Sequence, residues 1–160
     1  MIVLFSMIGL DAFMVDGVPV IGKISEIKEF FLGYKLLLVT IGNNVLRERL
    51  NKEAAAIGYN FPNILHCSAY ISPHAIVSTG CVILNNAVIQ NNAKKGNGCI
   101  LNPGVEAHYD STIGSVCLVY TNSGIRSLTH VGDRVWIGLT ATISMGAVVP
   151  GDTVVNDGVV

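Results

Sequence analysis

Aliphatic residues recur at every sixth position from Leu65 to the end of the chain. Fourteen of the sixteen residues in this series are Leu, Ile or Val, and the residue four places after each of the sixteen is small. The aliphatic series is Leu65, Ile71, Val77, Ile83, Ile89, Lys95, Leu101, Ala107, Ile113, Val119, Ile125, Val131, Ile137, Ile143, Val149 and Val155. The small series is Ala69, Ala75, Cys81, Ala87, Ala93, Cys99, Val105, Ser111, Cys117, Ser123, Thr129, Val135, Ala141, Ala147, Thr153 and Val159. A period of six excludes both an α-helix and a lone strand, whose periods are 3.6 and two residues.

A six-residue unit of this kind predicts one flat side of a coiled chain. Each unit forms a short strand with its aliphatic residue inward, followed by a tight corner that the small residue lines. Three such sides complete one coil, and successive coils stack about 4.8 Å apart through parallel strand pairing. Sixteen units predict a triangular prism of about five coils, roughly 25 Å tall, over residues 61–160. Gly and Asn suit the corners because both tolerate left-handed backbone angles.

Two features of the repeat, its cysteines and one lysine, lead to specific expectations. Cys81, Cys99 and Cys117 are separated by three units each, so we expect them to stack on one corner as reduced thiols. Lys95 occupies an inward position of the repeat. We expect its ammonium group to reach solvent, by snorkelling from a distorted coil, from a loop that bulges out of the prism, or on a solvated corner shared with Lys94.

Residues 1–60 have a different pattern, in which continuous apolar runs alternate with segments whose apolar residues recur at helical spacing. The predicted elements are a strand at Ile2–Ile8, an extended piece at Val18–Gly22, a helix around Ile27–Phe31, a strand covered on both faces at Lys35–Ile41 and a helix at Val45–Ile57. This alternation predicts a small α/β domain with a parallel sheet, ending near residue 60.

Composition narrows the possible classes of function. Ten Lys and Arg against eleven Asp and Glu leave a net charge of −1, which argues against a nucleic-acid-binding protein. The longest apolar stretch, Met1–Val15, is interrupted by Asp11 and is shorter than the ~20 residues of a membrane-spanning helix. It also lacks the basic start of a signal peptide, so we expect a cytoplasmic protein without membrane insertion. The four cysteines contain no Cys-x2-Cys pair, and we expect no metal site.

The aliphatic-x-x-x-small-x units, with Gly after the aliphatic residue at Gly96, Gly114, Gly132 and Gly138, resemble those of hexapeptide-repeat acyltransferases. The segment 61–93, together with DGVPVIG and VTIGNNVLRERL nearer the N-terminus, is similar to the family of sialic acid O-acetyltransferases and UDP-4-amino-sugar N-acetyltransferases. The resemblance implies a left-handed parallel β-helix over residues 61–160. It also implies a partial, Rossmann-like nucleotide-sugar-binding domain over residues 1–60, in a form shortened at both ends.

The same resemblance implies a function. It implies a homotrimer that transfers acetyl from acetyl-CoA to a sugar or nucleotide-sugar in the biosynthesis of surface glycans, without a metal. The reaction needs a base near the acceptor amine or hydroxyl, and the family uses a His followed by an acidic residue. These two family positions fall at Tyr109 and Asp110 here, and a histidine stands one place earlier, at His108.

Three interpretations of this displaced histidine remain open. His108 acts as the base with Asp110 orienting its imidazole, or the coil is a surface without catalytic function, or Tyr109 acts in place of the base. The second interpretation corresponds to a different class of protein, a catalytically impaired β-helix that serves as a binding or assembly module.

The binding residues that the resemblance implies lie in two places. Asp11, Gly42 and Asn43 match positions that approach the nucleotide, although Asp11 as a loop carboxylate and Gly42 as a plain turn residue are equally open. Gly138, Leu139 and Thr140 match the groove along the coils that takes the CoA moiety, and we expect acetyl-CoA there.

Two other motifs give weaker evidence about function. The segment Gly17–Lys23 has the spacing of a phosphate-binding P-loop, but Ile24 stands where that motif has Ser or Thr. Histidines occur at positions 66, 74, 108 and 130, and none are five residues apart as in the zinc site of γ-class carbonic anhydrases, a function that we therefore reject.

Overall fold

The computed structural model describes residues 4–6, 14–15 and 18–160. The chain forms two compact units. The first contains residues 1–37 and 52–60, and the second contains residues 38–51 and 61–160. Residues 38–51, which sequence patterning groups with the N-terminal domain, thus form one unit with the coils.

The first unit contains a three-stranded sheet and short helical segments. The strands are β1 (Leu4–Ser6), β2 (Met14–Val15) and β3 (Val18–Lys23), in the order β1-β3-β2, with β1 parallel and β2 antiparallel to β3. A 3-10 turn (Ile24–Glu26) and α1 (Ile27–Phe30) follow. The long helix α2 (Asn44–Ile57) begins in the second unit and ends in the first. The predicted helix at Val45–Ile57 is confirmed.

The predicted strand at Lys35–Ile41 is wrong. In this run the backbone makes only an isolated bridge, between Leu36 and Asn60, within the described residues. The apolar character has another cause at Leu38, which packs on outward-facing residues of the coils, among them Val82 and Ile100. A run that covers an apolar surface has the same composition as a buried strand, so the pattern did not separate the two.

The second unit is a parallel β-solenoid of about five turns. Sixteen two-residue strands form three sheets, which are the three sides of the solenoid. The first side is built from β4 (Ile64–Leu65), β7 (Val82–Ile83), β10 (Ile100–Leu101), β13 (Leu118–Val119), β16 (Trp136–Ile137) and β19 (Val154–Val155). The second side is built from β5 (Tyr70–Ile71), β8 (Val88–Ile89), β11 (Glu106–Ala107), β14 (Gly124–Ile125) and β17 (Thr142–Ile143). The third side is built from β6 (Ile76–Val77), β9 (Lys94–Lys95), β12 (Thr112–Ile113), β15 (His130–Val131) and β18 (Val148–Val149).

The predicted register is confirmed in every strand of the solenoid. The second residue of each strand is a member of the aliphatic series, and each strand pairs with the strand one coil away, as Leu101 does with Val119. In the middle coils both the aliphatic and the small series are buried. The corners use left-handed backbone angles, at Asn86 and Asn122 (φ 57°) and also at Val116 (φ 60°).

Residues 38–51 are held on the coils by one buried arginine. The guanidinium of Arg47 is fully buried and donates to the carbonyl oxygens of Gly98 (3.1 Å) and Val116 (2.8 Å) on two successive corners. It also donates to the Asn44 side chain (2.7 Å), whose amide nitrogen in turn donates to the Arg134 carbonyl (2.9 Å). Desolvation by burial lowers the pKa of Arg47. These bonds satisfy corner carbonyls that the strand ladders leave unpaired.

The cysteine column is as predicted, but the lysine is not. Cys81, Cys99 and Cys117 are free and buried, and each thiol donates to a glycine carbonyl on the next coil, at 3.2, 3.0 and 3.1 Å. Lys95 does not reach solvent: it is 1% exposed, and its Nζ has no hydrogen-bond partner among the described residues. The regular coil keeps its inward direction at this position, so the side chain lies in the core.

Candidate active site

His108 lies on the second side of the solenoid and faces outward. It directly follows β11, where Ala107 faces inward, so alternation along the strand turns His108 and Glu106 to the same outer surface. The His108 Nε2 atom is 3.4 Å from a carboxylate oxygen of Glu106, and the His108 side chain is 31% exposed. A carboxylate in this place favours the tautomer with a proton on Nε2, which leaves Nδ1 as the basic atom.

A groove of about 500 Å³ runs along this surface, and we call it the His108 groove. Its lining residues are Gly104, Glu106, His108, Asn122, Ser123, Gly124, Arg126 and Thr142. Gly124 is the outward residue of β14 and has no side chain, which opens the space between its neighbours Glu106 and Thr142 on adjacent strands. The groove thus combines a potential base, a carboxylate and a guanidinium around an open floor.

Tyr109 and Asp110 form the corner that follows His108, between the second and third sides. Asp110 has a left-handed backbone (φ 60°), and its carboxylate accepts a bond from the Asn92 side-chain amide at 3.2 Å. Tyr109 is 54% exposed, and its ring centre lies 6.4 Å from that of His108. The carboxylate that contacts His108 is therefore that of Glu106. Spacing of two residues on a strand was the available signal for Glu106, and sequence reasoning missed it.

A second cleft, of about 360 Å³, lies on the other flank of the same corner, and we call it the Asp110 cleft. Its lining residues are His74, Ile76, Asn92, Lys94, Asp110, Thr112 and His130. His108 and Asp110 therefore line different depressions, on either side of Tyr109.

The three residues predicted to contact CoA lie on the corner between the first and second sides. Gly138 approaches the next coil so closely that an added Cβ would stand 2.6 Å from the backbone nitrogen of Asp157. The Leu139 amide donates to the Asp157 carboxylate at 2.7 Å, and the Thr140 amide donates to the Thr121 carbonyl at 3.0 Å. The Thr140 corner thus stacks directly on the corner of Thr121 and Asn122, which borders the His108 groove.

The three residues predicted to contact the nucleotide differ in what the structure shows of them. The Asn43 side-chain oxygen accepts the Leu46 amide hydrogen at 2.9 Å, so Asn43 caps the start of α2. An added Cβ at Gly42 would meet nothing within 4 Å, and its backbone is outside the left-handed region. Neither sterics nor backbone angles of the described residues require glycine there. Asp11 lies outside the described residues.

Solved structures identify the family, whereas no protein-family sequence model matches the chain. PerB from Caulobacter crescentus, solved in complex with CoA and GDP-perosamine, is 30% identical with a TM-score of 0.87, and the match covers 90% of this chain and 70% of PerB. The chain belongs to the hexapeptide-repeat sugar acetyltransferases. This settles the family resemblance and the enzyme class predicted from the sequence.

Two further structures resemble this acetyltransferase. The acetyltransferase domain of PglB from Neisseria gonorrhoeae is 27% identical with a TM-score of 0.81, covering 90% of this chain and 71% of that domain. WeeI from Acinetobacter baumannii is 20% identical with a TM-score of 0.78, covering 94% of this chain and 77% of WeeI, and shares the fold.

Two further findings concern metal binding and membrane spanning in the described part of this acetyltransferase. Across residues 18–160 and the two short strands before them, no three His, Cys, Asp or Glu side chains are grouped to hold a metal ion. Among the helices described, none is both long enough and apolar enough to cross a membrane.

Proposed function

We propose that this protein transfers acetyl from acetyl-CoA to the amine or hydroxyl of a sugar or nucleotide-sugar, with His108 as general base. The observation that carries the proposal is the 30% identity with PerB, whose structure holds both CoA and GDP-perosamine. The open groove beside His108 supports it, because a base must have room for the acceptor within hydrogen-bond reach. A left-handed winding, a Rossmann-like N-terminal domain and a homotrimer are parts of the same proposal.

In this proposal the acceptor nitrogen or oxygen attacks the carbonyl carbon of the thioester. The new bond to carbon forms, the carbon–sulfur bond breaks, and the acceptor's proton passes to Nδ1 of His108 and then to the departing CoA thiolate. Glu106 holds the proton on Nε2 and compensates the imidazolium charge, since its carboxylate lies 3.4 Å away. Glu106 is thus a positioning residue, in the role that the family resemblance implies for Asp110.

CoA is proposed to bind along the corner of Gly138, Leu139 and Thr140. This corner stacks on the one that borders the His108 groove, so a thioester lying along it would reach the groove. Gly42 is proposed to face the nucleotide, because nothing within the described residues occupies the space beside it.

The proposal is tested by acetyl transfer from acetyl-CoA to UDP-4-amino sugars, GDP-perosamine and sialic acids. We expect His108→Ala to lower kcat by about 10²- to 10⁴-fold, the usual contribution of a general base. His66→Ala, a change at an exposed histidine outside the His108 groove, is the control and should keep wild-type kcat. Equal rates for wild type and His108→Ala would remove His108 from the mechanism.

A catalytically impaired binding module is the second candidate. The observation that favours it is the Asp110 carboxylate, which bonds to Asn92, and it agrees with the tyrosine at position 109, where the resemblance implies the family's histidine. Tyr109→Phe tests whether Tyr109 acts in place of the base, because it removes the hydroxyl and keeps the ring. Acetyl-CoA binding by calorimetry without any turnover on the three acceptor classes would establish the module and overturn the enzyme proposal.

A further inference from the structure

The Asp110 cleft gathers basic side chains that the proposed chemistry does not use. One wall is a ladder of outward residues on successive strands, and the other is a stack of three successive corner residues. The ladder is Ile76, Lys94, Thr112 and His130, and the stack is His74, Asn92 and Asp110. Regular coils place equivalent residues one above the other, so these side chains converge on one space.

Side chains that can donate a hydrogen bond outnumber carboxylates in this cleft. Lys94, His74 and His130 line it together with one carboxylate, that of Asp110, and with neutral histidines its formal charge is zero. That carboxylate accepts the Asn92 amide, while Lys94 and both histidines are exposed. Exposed donors that surround a concave space attract a ligand that carries several anionic oxygens.

The spacing of the ladder suits two linked phosphates. Lys94 and His130 both pair with Thr112, one from each neighbouring strand. Strands stack about 4.8 Å apart, so the two basic residues are separated by roughly 10 Å along the ladder, with the Thr112 hydroxyl between them. One phosphate can contact the Lys94 ammonium and the second the His130 imidazole, and the Thr112 hydroxyl can donate to either.

We propose that the Asp110 cleft binds the diphosphate group of a substrate. The inference rests on the proposed function, since acetyl-CoA and a nucleotide-sugar each carry a diphosphate. The cleft lies beside Tyr109, on the far flank of the corner from the His108 groove, so a substrate bound by its phosphates there can extend across the corner towards the groove. The shared chemistry is the diphosphate, and the experiment separates the two sources.

The test measures binding to the 160-residue chain by titration calorimetry. The probes are CoA, UDP, GDP, inorganic pyrophosphate and pantetheine, which lacks phosphate. We expect Lys94→Gln/His130→Asn to weaken pyrophosphate binding and that of one nucleotide class at least tenfold, and to leave pantetheine unchanged. The matched control, Lys28→Gln/His66→Asn, removes the same residue types elsewhere and should bind like wild type.

One further measurement gives the sign of the effect. Asp110→Asn removes the one carboxylate of the cleft and should tighten pyrophosphate binding several-fold. A loss confined to CoA assigns the cleft to the acetyl donor, and a loss confined to UDP or GDP assigns it to the acceptor.

The proposal is overturned if the folded double variant, with wild-type circular dichroism and melting, binds every diphosphate probe like wild type. It is equally overturned if wild type binds none of them. Failure of the proposed function is distinct, because acetyl transfer can be absent while the double variant still shows the loss of pyrophosphate binding.

Discussion

Replacing Lys95 with methionine is expected to stabilise the protein. Lys95 occupies the inward column of the third side, where its strand neighbours are Val77 and Ile113. It is 1% exposed, and no hydrogen-bond partner for Nζ lies among the described residues. Methionine has a similar length and no charge, so it keeps the packing and removes the unpaired amine.

The size of the effect follows from the burial of the ammonium group. Desolvation by burial is the main cause that lowers the pKa of Lys95, from 10.5 to about 8. A difference of this size corresponds to about 3 kcal/mol of unfolding free energy lost below pH 8. Between pH 8 and 10.5 the unfolded chain holds a proton that the folded chain lacks, so this loss shrinks as pH rises. Above pH 10.5 both states are neutral and the loss is absent.

The assay is urea unfolding of wild type and Lys95→Met at one protein concentration, at pH 7 and pH 10. We expect the variant to be more stable by about 3 kcal/mol at pH 7, with a smaller difference at pH 10. Lys94→Met, on the exposed face of the same strand, is the matched control and should change stability by less than about 0.5 kcal/mol. The reasoning would be refuted if Lys95→Met were less stable than wild type, or if its gain in unfolding free energy over wild type were the same at pH 7 and pH 10.

Three further predictions concern Arg47, Gly138 and Gly124. Arg47→Met should lower the unfolding free energy by about 3 kcal/mol or more in urea, because it leaves buried carbonyls of Gly98 and Val116 without a donor, and an unchanged midpoint would contradict this. Gly138→Ala should lower the melting temperature, because its Cβ would stand 2.6 Å from the Asp157 nitrogen, whereas Gly124→Ala should not, since its nearest contact is 3.7 Å. Gly124→Leu should fill the His108 groove and abolish acetyl transfer without lowering the melting temperature, and wild-type turnover would show that substrate binds elsewhere.

The solenoid was predictable because its pattern admits one structural solution. An aliphatic and a small residue at fixed places in every six residues are buried together only if the chain turns three corners per coil. The register therefore followed from the sequence, down to the inward residue of each strand, as Leu101 and Val119 show. The corner conformations followed from asparagine and glycine, but Val116 adopts the same angle without that signal.

The features that sequence reasoning missed depend on contacts between distant segments. Arg47 gives no local sign that it will donate to Val116, 69 residues later. The inward position of Lys95 was visible in the repeat, but its burial went against the usual behaviour of a long charged side chain. The site was predictable to the level of the His108 coil, whereas the carboxylate beside the imidazole and the basic cleft on the other flank came from the arrangement of neighbouring strands.

Acetyl transfer in the His108 groove is tested most directly by a crystal structure with CoA and an amino-sugar acceptor bound together. The measurement is the distance between the acceptor's nucleophilic atom and Nδ1 of His108. The proposed function predicts about 2.6–3.2 Å, with the CoA sulfur in the same groove. An acceptor whose nucleophile lies against the Tyr109 hydroxyl, or outside the groove altogether, would contradict it.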